Sequence, residues 1–77
     1  MKIEKITWID SCSNPGWQHW HEDDPRPIEC ESVGYPIGEN EKAVTLAQSR
    51  SLEEGVLPYA DLIHIPKTAI KKRVKVK

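Results

Sequence analysis

The sequence predicts an all-β fold: five short strands forming a small, strongly bent antiparallel barrel, with a single 3₁₀ turn before the last strand. Three observations lead there. The C-terminal run from Leu62 to Lys77 reads as strand, one tight helical turn, then strand, with Pro66 and Lys67 to Ala69 supplying a turn of 3₁₀ length. Upstream, apolar and polar residues alternate in short blocks separated by Gly, Pro and Asn breakers. No segment sustains a helical period: Ser51-Leu52-Glu53-Glu54 could open a turn of helix, but nothing after it continues one.

The strands follow in order. The first covers about Lys2 to Asp10, where Ile6 and Trp8 share the inward parity and Ile3 and Ile9 fall on the other, which predicts a bulge or bend near Glu4-Lys5. The second covers about Ile28 to Ile37. Ile28 and Cys30 share one face and Val33, Tyr35 and Ile37 the other, so the strand must bend sharply between Ser32 and Gly34. Gly38 to Glu41 is a turn, and Ala43 to Gln48 is a third strand with Val44 and Leu46 inward around Thr45. Ser49 to Pro58, broken by Gly55 and Pro58, reads as a loop. The fourth and fifth strands run from about Ala60 to Ile65 and from about Ile70 to Val76. A strand, a 3₁₀ turn and a final strand close Src-homology-3-like and Sm-like barrels, and that is the architecture expected.

The chain of 77 residues is expected to form one domain spanning 1–77. A chain this short buries roughly 60% of the surface it exposes when unfolded, so its core is thin. The net charge of −1 conceals an asymmetry: residues 1–60 carry 5 Lys/Arg against 11 Asp/Glu, whereas residues 61–77 carry 6 against 1. Cys12 and Cys30 are too few for a secreted disulfide scaffold, which predicts free thiols and a cytoplasmic setting. Lys2 and Lys5 are followed by no apolar leader, and no apolar run reaches membrane-spanning length, so no membrane association is expected.

The segment Ser11 to Pro27 is too polar and too rich in breakers for regular structure, and a loop of that length in a small domain is usually functional or mobile. It holds Trp17, Trp20, His19, His21 and the acidic run Glu22-Asp23-Asp24. Trp17, His19, Trp20 and His21 are therefore the candidate partner-binding residues, for a protein or a small ligand. His19 and His21 with Cys12 and Cys30 could in principle supply four ligands to zinc. Their spacing contains no Cys-x-x-Cys pair, and no bound metal or other cofactor is expected. No catalytic residue is assigned. Ser11-Cys12-Ser13 lacks a nucleophile elbow and an oriented base, and Glu22-Asp23-Asp24 lacks the oxygen spacing of a calcium loop.

In the last strand, Lys71, Arg73, Lys75 and Lys77 share one parity opposite Ile70, Val74 and Val76, so the cations are expected to line one solvent face. Two roles fit such a row. Lysines on an edge strand discourage pairing with another sheet, and a basic stripe can track a phosphate backbone. The acidity of residues 1–60 favours the first role, with nucleic-acid binding as the alternative.

The ordered motifs Trp8-Ile9-Asp10-Ser11, Trp17, Cys30-Glu31-Ser32-Val33-Gly34-Tyr35, Val44-Thr45-Leu46-Ala47 and Ile65-Pro66-Lys67 with Ile70 span most of the chain. In order and spacing they resemble small uncharacterised proteins encoded by bacteriophages, prophages and other bacterial mobile elements. The resemblance implies a bacterial or phage origin and an intracellular small barrel; it implies no activity, and His19, Trp20 and His21 lie outside its pattern. The expected function is a non-enzymatic binding or protein-interaction module.

Overall fold

Alternating sequence blocks become five strands in the computed structural model, which describes residues 2–11, 17 and 27–76. They are β1 (Ile3–Asp10), β2 (Ile28–Glu39), β3 (Ala43–Arg50), β4 (Tyr59–Pro66) and β5 (Ile70–Val76), with a 3₁₀ turn at Lys67–Ala69 between β4 and β5. They form one antiparallel sheet in the order β4-β3-β2-β1-β5. Strands β4 and β5 are its two edges and do not pair. The expected closed barrel is thus an open, folded sheet.

β2 makes the fold. Its first half, Ile28 to Gly34, pairs with β1; its second half, from Tyr35, pairs with β3. The change of partner falls at Gly34. A Cβ built there would lie 2.6 Å from the carbonyl oxygen of Ala47, so only a residue without a side chain lets β3 pass this close. The bend brings the β5-β1-β2 half of the sheet face to face with the β2-β3-β4 half. Between them sit Ile6 from β1, Val44 and Leu46 from β3 and Ile65 from β4, all buried, with Trp8, Ile63 and Ile70 packed against them. Each of the four buried side chains contributes about 1.5–3 kcal/mol of transfer free energy.

Two turns are fixed by hydrogen bonds, one from a side chain and one from the backbone. Asn40 Oδ1 accepts from the backbone N–H groups of Lys42 at 2.8 Å and Ala43 at 2.9 Å, and the Asn40 N–H donates to the Ala43 carbonyl at 3.0 Å. This tight closure lets Gly38 and Glu39 remain in β2, where the sequence reading had placed a turn. The 3₁₀ turn is held to the neighbouring hairpin by the Lys67 N–H, which donates to the Lys42 carbonyl at 2.8 Å.

Two expectations of parity are corrected. β1 pairs with β2 without interruption from Glu4 to Asp10, so no bulge lies at Glu4-Lys5; the register shift falls at Thr7/Trp8, against β5. Ile3 simply faces outward, opposite Val76. The second correction follows from the first. Thr7 pairs with Lys72 but Trp8 pairs with Ile70, so Lys71 is the extra residue and the inward parity changes along β5. Beyond the shift Arg73 is opposite the buried Ile6, and it is Lys72, Val74 and Val76 that face outward.

Candidate interaction surface

The register shift decides what the basic strand can do. Arg73 shares a face with Ile6 and reaches Glu4, which is only 7% exposed. Arg73 Nε donates to Glu4 Oε1 at 3.0 Å and Nη2 to Glu4 Oε2 at 3.1 Å, a bidentate pair. The same guanidinium donates to both oxygens of Glu39 at 3.1 Å, and Lys67 Nζ lies 2.8 Å from Glu39 Oε2. Hydrogen bonds from Arg73, then Lys67, hold the Glu39 carboxyl at about 2, well below its ordinary 4.5, and Glu39 and Glu4 raise the Arg73 pKa in turn. One cation therefore ties β1, the far end of β2 and β5 together, where a single solvent-facing stripe was expected. Lys71 Nζ also faces a carboxylate, Glu29 Oε1 at 3.4 Å. Lys75 is opposite Glu4 in register, and Lys77 lies outside the described residues.

Of the loop candidates, Trp17 is fully exposed, while His19, Trp20 and His21 lie outside the described residues, as does Cys12. Cys30 is half-buried in β2 opposite Trp8, and the Trp8 indole Nε1 donates to Ser32 Oγ at 2.9 Å. Among the described residues, no three His, Cys, Asp or Glu side chains converge in a way that could hold a metal, and no helix is long and apolar enough to cross a membrane.

Among the described residues, a further group of exposed apolar side chains lies at the end of the β3–β4 hairpin. The loop from Ser51 to Pro58, which joins β3 to β4, is closed at its base by the Ser51 N–H donating to the Pro58 carbonyl at 2.8 Å. Ser51 Oγ accepts from the Glu53 N–H at 3.1 Å, and Gly55 takes the left-handed φ of 80° that turns the chain back. This closure drives the aliphatic side chains outward: Leu52 is 84% exposed, Leu57 87% and Val56 52%. On β4, Tyr59 and Leu62 are also exposed, on opposite faces of the strand. The sequence reading treated this segment as a connector. Its signal was present in the three aliphatic residues of one short loop, a composition that a solvated turn does not require.

A second outward apolar group, Ile3, Val33, Val74 and Val76, lies on the β5-β1-β2 half. Lys5 stands in its middle, opposite both Val33 and Val74, and a cation in that position opposes stacking by another sheet.

Beside the hairpin end, Ser32, Val33, Leu46, Gln48, Asp61 and Ile63 line a groove of about 280 Å³ between the two halves of the sheet. Asp61 lies between the Ala60–Ser49 and Leu62–Ala47 pairs of the β3–β4 ladder and takes a left-handed φ of 57°, a conformation Asp tolerates better than most residues. From Gln48 to Ile63 the chain carries Arg50 against Glu53, Glu54 and Asp61, so this end of the molecule is acidic.

Comparison with protein-family models, with curated proteins and with solved structures finds no match to this chain.

Proposed function

We propose that this protein is a non-enzymatic protein-interaction module that grips its partner with the end of the β3–β4 hairpin. The observation that carries the reading is the outward projection of Leu52, Val56 and Leu57 from a loop whose backbone is closed by its own hydrogen bonds. Aliphatic side chains held in water by an ordered loop lose nothing further in backbone entropy when a partner covers them. Contiguous apolar surface on a small protein marks an interaction site. The acidic charges around it, Glu53, Glu54 and Asp61 against Arg50, favour a partner whose apolar contact is rimmed by basic residues.

The same proposal takes the fold as a small barrel of the Src-homology-3-like or Sm-like kind, left open between β4 and β5. The return of β5 to the side of β1 and the 3₁₀ turn preceding it support that reading. A phage or mobile-element origin and action in a bacterial cytoplasm belong to the proposal as well, and rest on the motif resemblance. Nucleic-acid binding through β5 loses ground, because Arg73 and Lys71 engage carboxylates of the same chain.

The test is affinity capture with wild-type protein and with a Leu52→Ser/Leu57→Ser variant, followed by titration of the purified partner into each. The partner is expected to bind the variant at least about tenfold more weakly, equivalent to about 1.4 kcal/mol. Equal affinity for the two would place the contact surface elsewhere.

A further inference from the structure

We infer that the groove beside the hairpin end is an anchor site for one basic side chain, an arginine or lysine, of an extended partner segment. This rests on the interaction reading given above and specifies the chemistry of the partner.

The groove has the parts such a site needs. Its apolar wall is Leu46 and Ile63, and it carries a carboxylate, Asp61, beside a side-chain amide, Gln48. The alkyl stem of Arg or Lys packs on an aliphatic wall while its charged head reaches a carboxylate, which is how long cationic side chains cross apolar surface. At about 280 Å³ the groove has room for a single long side chain. Among the described residues Asp61 forms no salt bridge, whereas Glu4, Glu29 and Glu39 each do. The exposed Asp61 carboxylate is therefore open to a cation from outside.

Position supports the same occupant. Asp61 lies two residues along β4 from Tyr59, about 7 Å at the rise of a strand. A partner segment that covers Leu52 and Leu57 can therefore place a residue in the groove without leaving the surface. The local excess of acid over base selects a cationic occupant over an acidic one. The Ser32 hydroxyl already accepts from the Trp8 indole, so it is left as a donor on the groove wall.

The experiment uses three tripeptide amides, acetyl-Leu-Arg-Leu, acetyl-Leu-citrulline-Leu and acetyl-Leu-Glu-Leu, titrated into the ¹⁵N-labelled protein. Citrulline keeps the shape of arginine and removes its charge. The arginine peptide is expected to shift the amide signals of Ser32, Gln48 and Asp61, with a Kd on the order of 1 mM for so small a ligand. The citrulline peptide should bind about tenfold more weakly, and the glutamate peptide should leave those signals in place. Asp61→Asn, which tolerates the left-handed backbone, should bring the arginine peptide down to the citrulline level. The inference is overturned if arginine and citrulline peptides bind alike, if the shifts fall away from the groove, or if no peptide shifts any signal. The comparison of peptides on the wild-type protein stands even where a variant fails to fold. Loss of partner binding in the Leu52/Leu57 variant with no arginine selectivity would refute the anchor alone; arginine selectivity with an unaffected Leu52/Leu57 variant would refute only the hairpin-end reading.

Discussion

Replacing Gly34 by alanine isolates the contact on which the whole shape depends. The added methyl carbon would stand 2.6 Å from the Ala47 carbonyl oxygen, 3.2 Å from its carbon and 3.3 Å from Leu46 Cβ. Two of these three atoms are backbone, so no rotamer change relieves the clash; β3 must move away from β2, and Leu46 with it. Gly34 does not have a left-handed φ, so the penalty comes from space alone. Overpacking of this kind costs about 1–3 kcal/mol, and the entropy that alanine removes from the unfolded chain returns only about 0.4–1 kcal/mol. A net loss of about 1 kcal/mol is a sizeable part of the roughly 4–12 kcal/mol available to a chain of this size. Gly38→Ala is the control, since its methyl would meet nothing closer than Thr45 Cβ at 3.8 Å. Urea unfolding followed by tryptophan fluorescence gives both values. With m near 1 kcal/mol/M, Gly34→Ala should lower the midpoint by about 1 M, while Gly38→Ala stays within about 0.5 M of wild type. Equal midpoints for the two variants would refute the close approach of β2 and β3 as the cause of the bend.

Arg73→Met leaves Glu4 buried without its partner and should cost about 2 kcal/mol, less than a fully buried pair because the Arg73 side chain keeps 31% of its exposure. In a thermal melt that is a drop of about 8–16 °C, partly recovered in Arg73→Met/Glu4→Gln. The Glu39 carboxyl has its pKa lowered in the folded state, so its contribution is complete above its ordinary 4.5 and is lost as pH falls toward about 2. The gap in Tm between wild type and Glu39→Gln should therefore be constant above about pH 5 and close on acidification; a gap that widens in acid would contradict the Arg73 and Lys67 contacts. Trp8→Phe, which removes the donor to Ser32 Oγ, should cost about 1 kcal/mol, and Trp8→Ala about 3 kcal/mol because the indole is only half-buried. An alanine variant as stable as wild type would remove Trp8 from the core edge.

The strands were legible in the sequence because Ile6 with Trp8 and Val44 with Leu46 alternate cleanly between strong breakers. Strand ends were less so: Gly38 and Glu39 look like turn residues until Asn40 is seen to close the hairpin by itself. What alternation could not reveal was the parity of β5. One extra residue at Lys71 exchanges the two faces of everything after it, and no local pattern distinguishes a lysine left out of register from one within it. The misplacement of Arg73 followed directly, and with it the picture of a continuous basic stripe. The hairpin end was missed for a different reason. Pairing of Arg50 with Tyr59 and closure of Ser51 on Pro58 make the intervening loop ordered, and order is what turns its aliphatic residues from incidental into a surface.

The bond between Glu4 and Arg73 joins residues 69 apart in the chain, whereas β2, β3 and β4 are linked by short hairpins. Loop closure over almost the whole molecule costs more entropy than closure of a hairpin, so the two kinds of contact form at different stages. The β2-β3-β4 meander can assemble from neighbours, with Val44, Leu46, Ile63 and Ile65 already beside one another. β1 and β5 meet only through a pairing of the two chain ends, and Arg73 secures it by holding Glu4 and Glu39 together. The guanidinium thus acts as a latch between the two ends of the chain, holding the edge strand β5 to both β1 and β2.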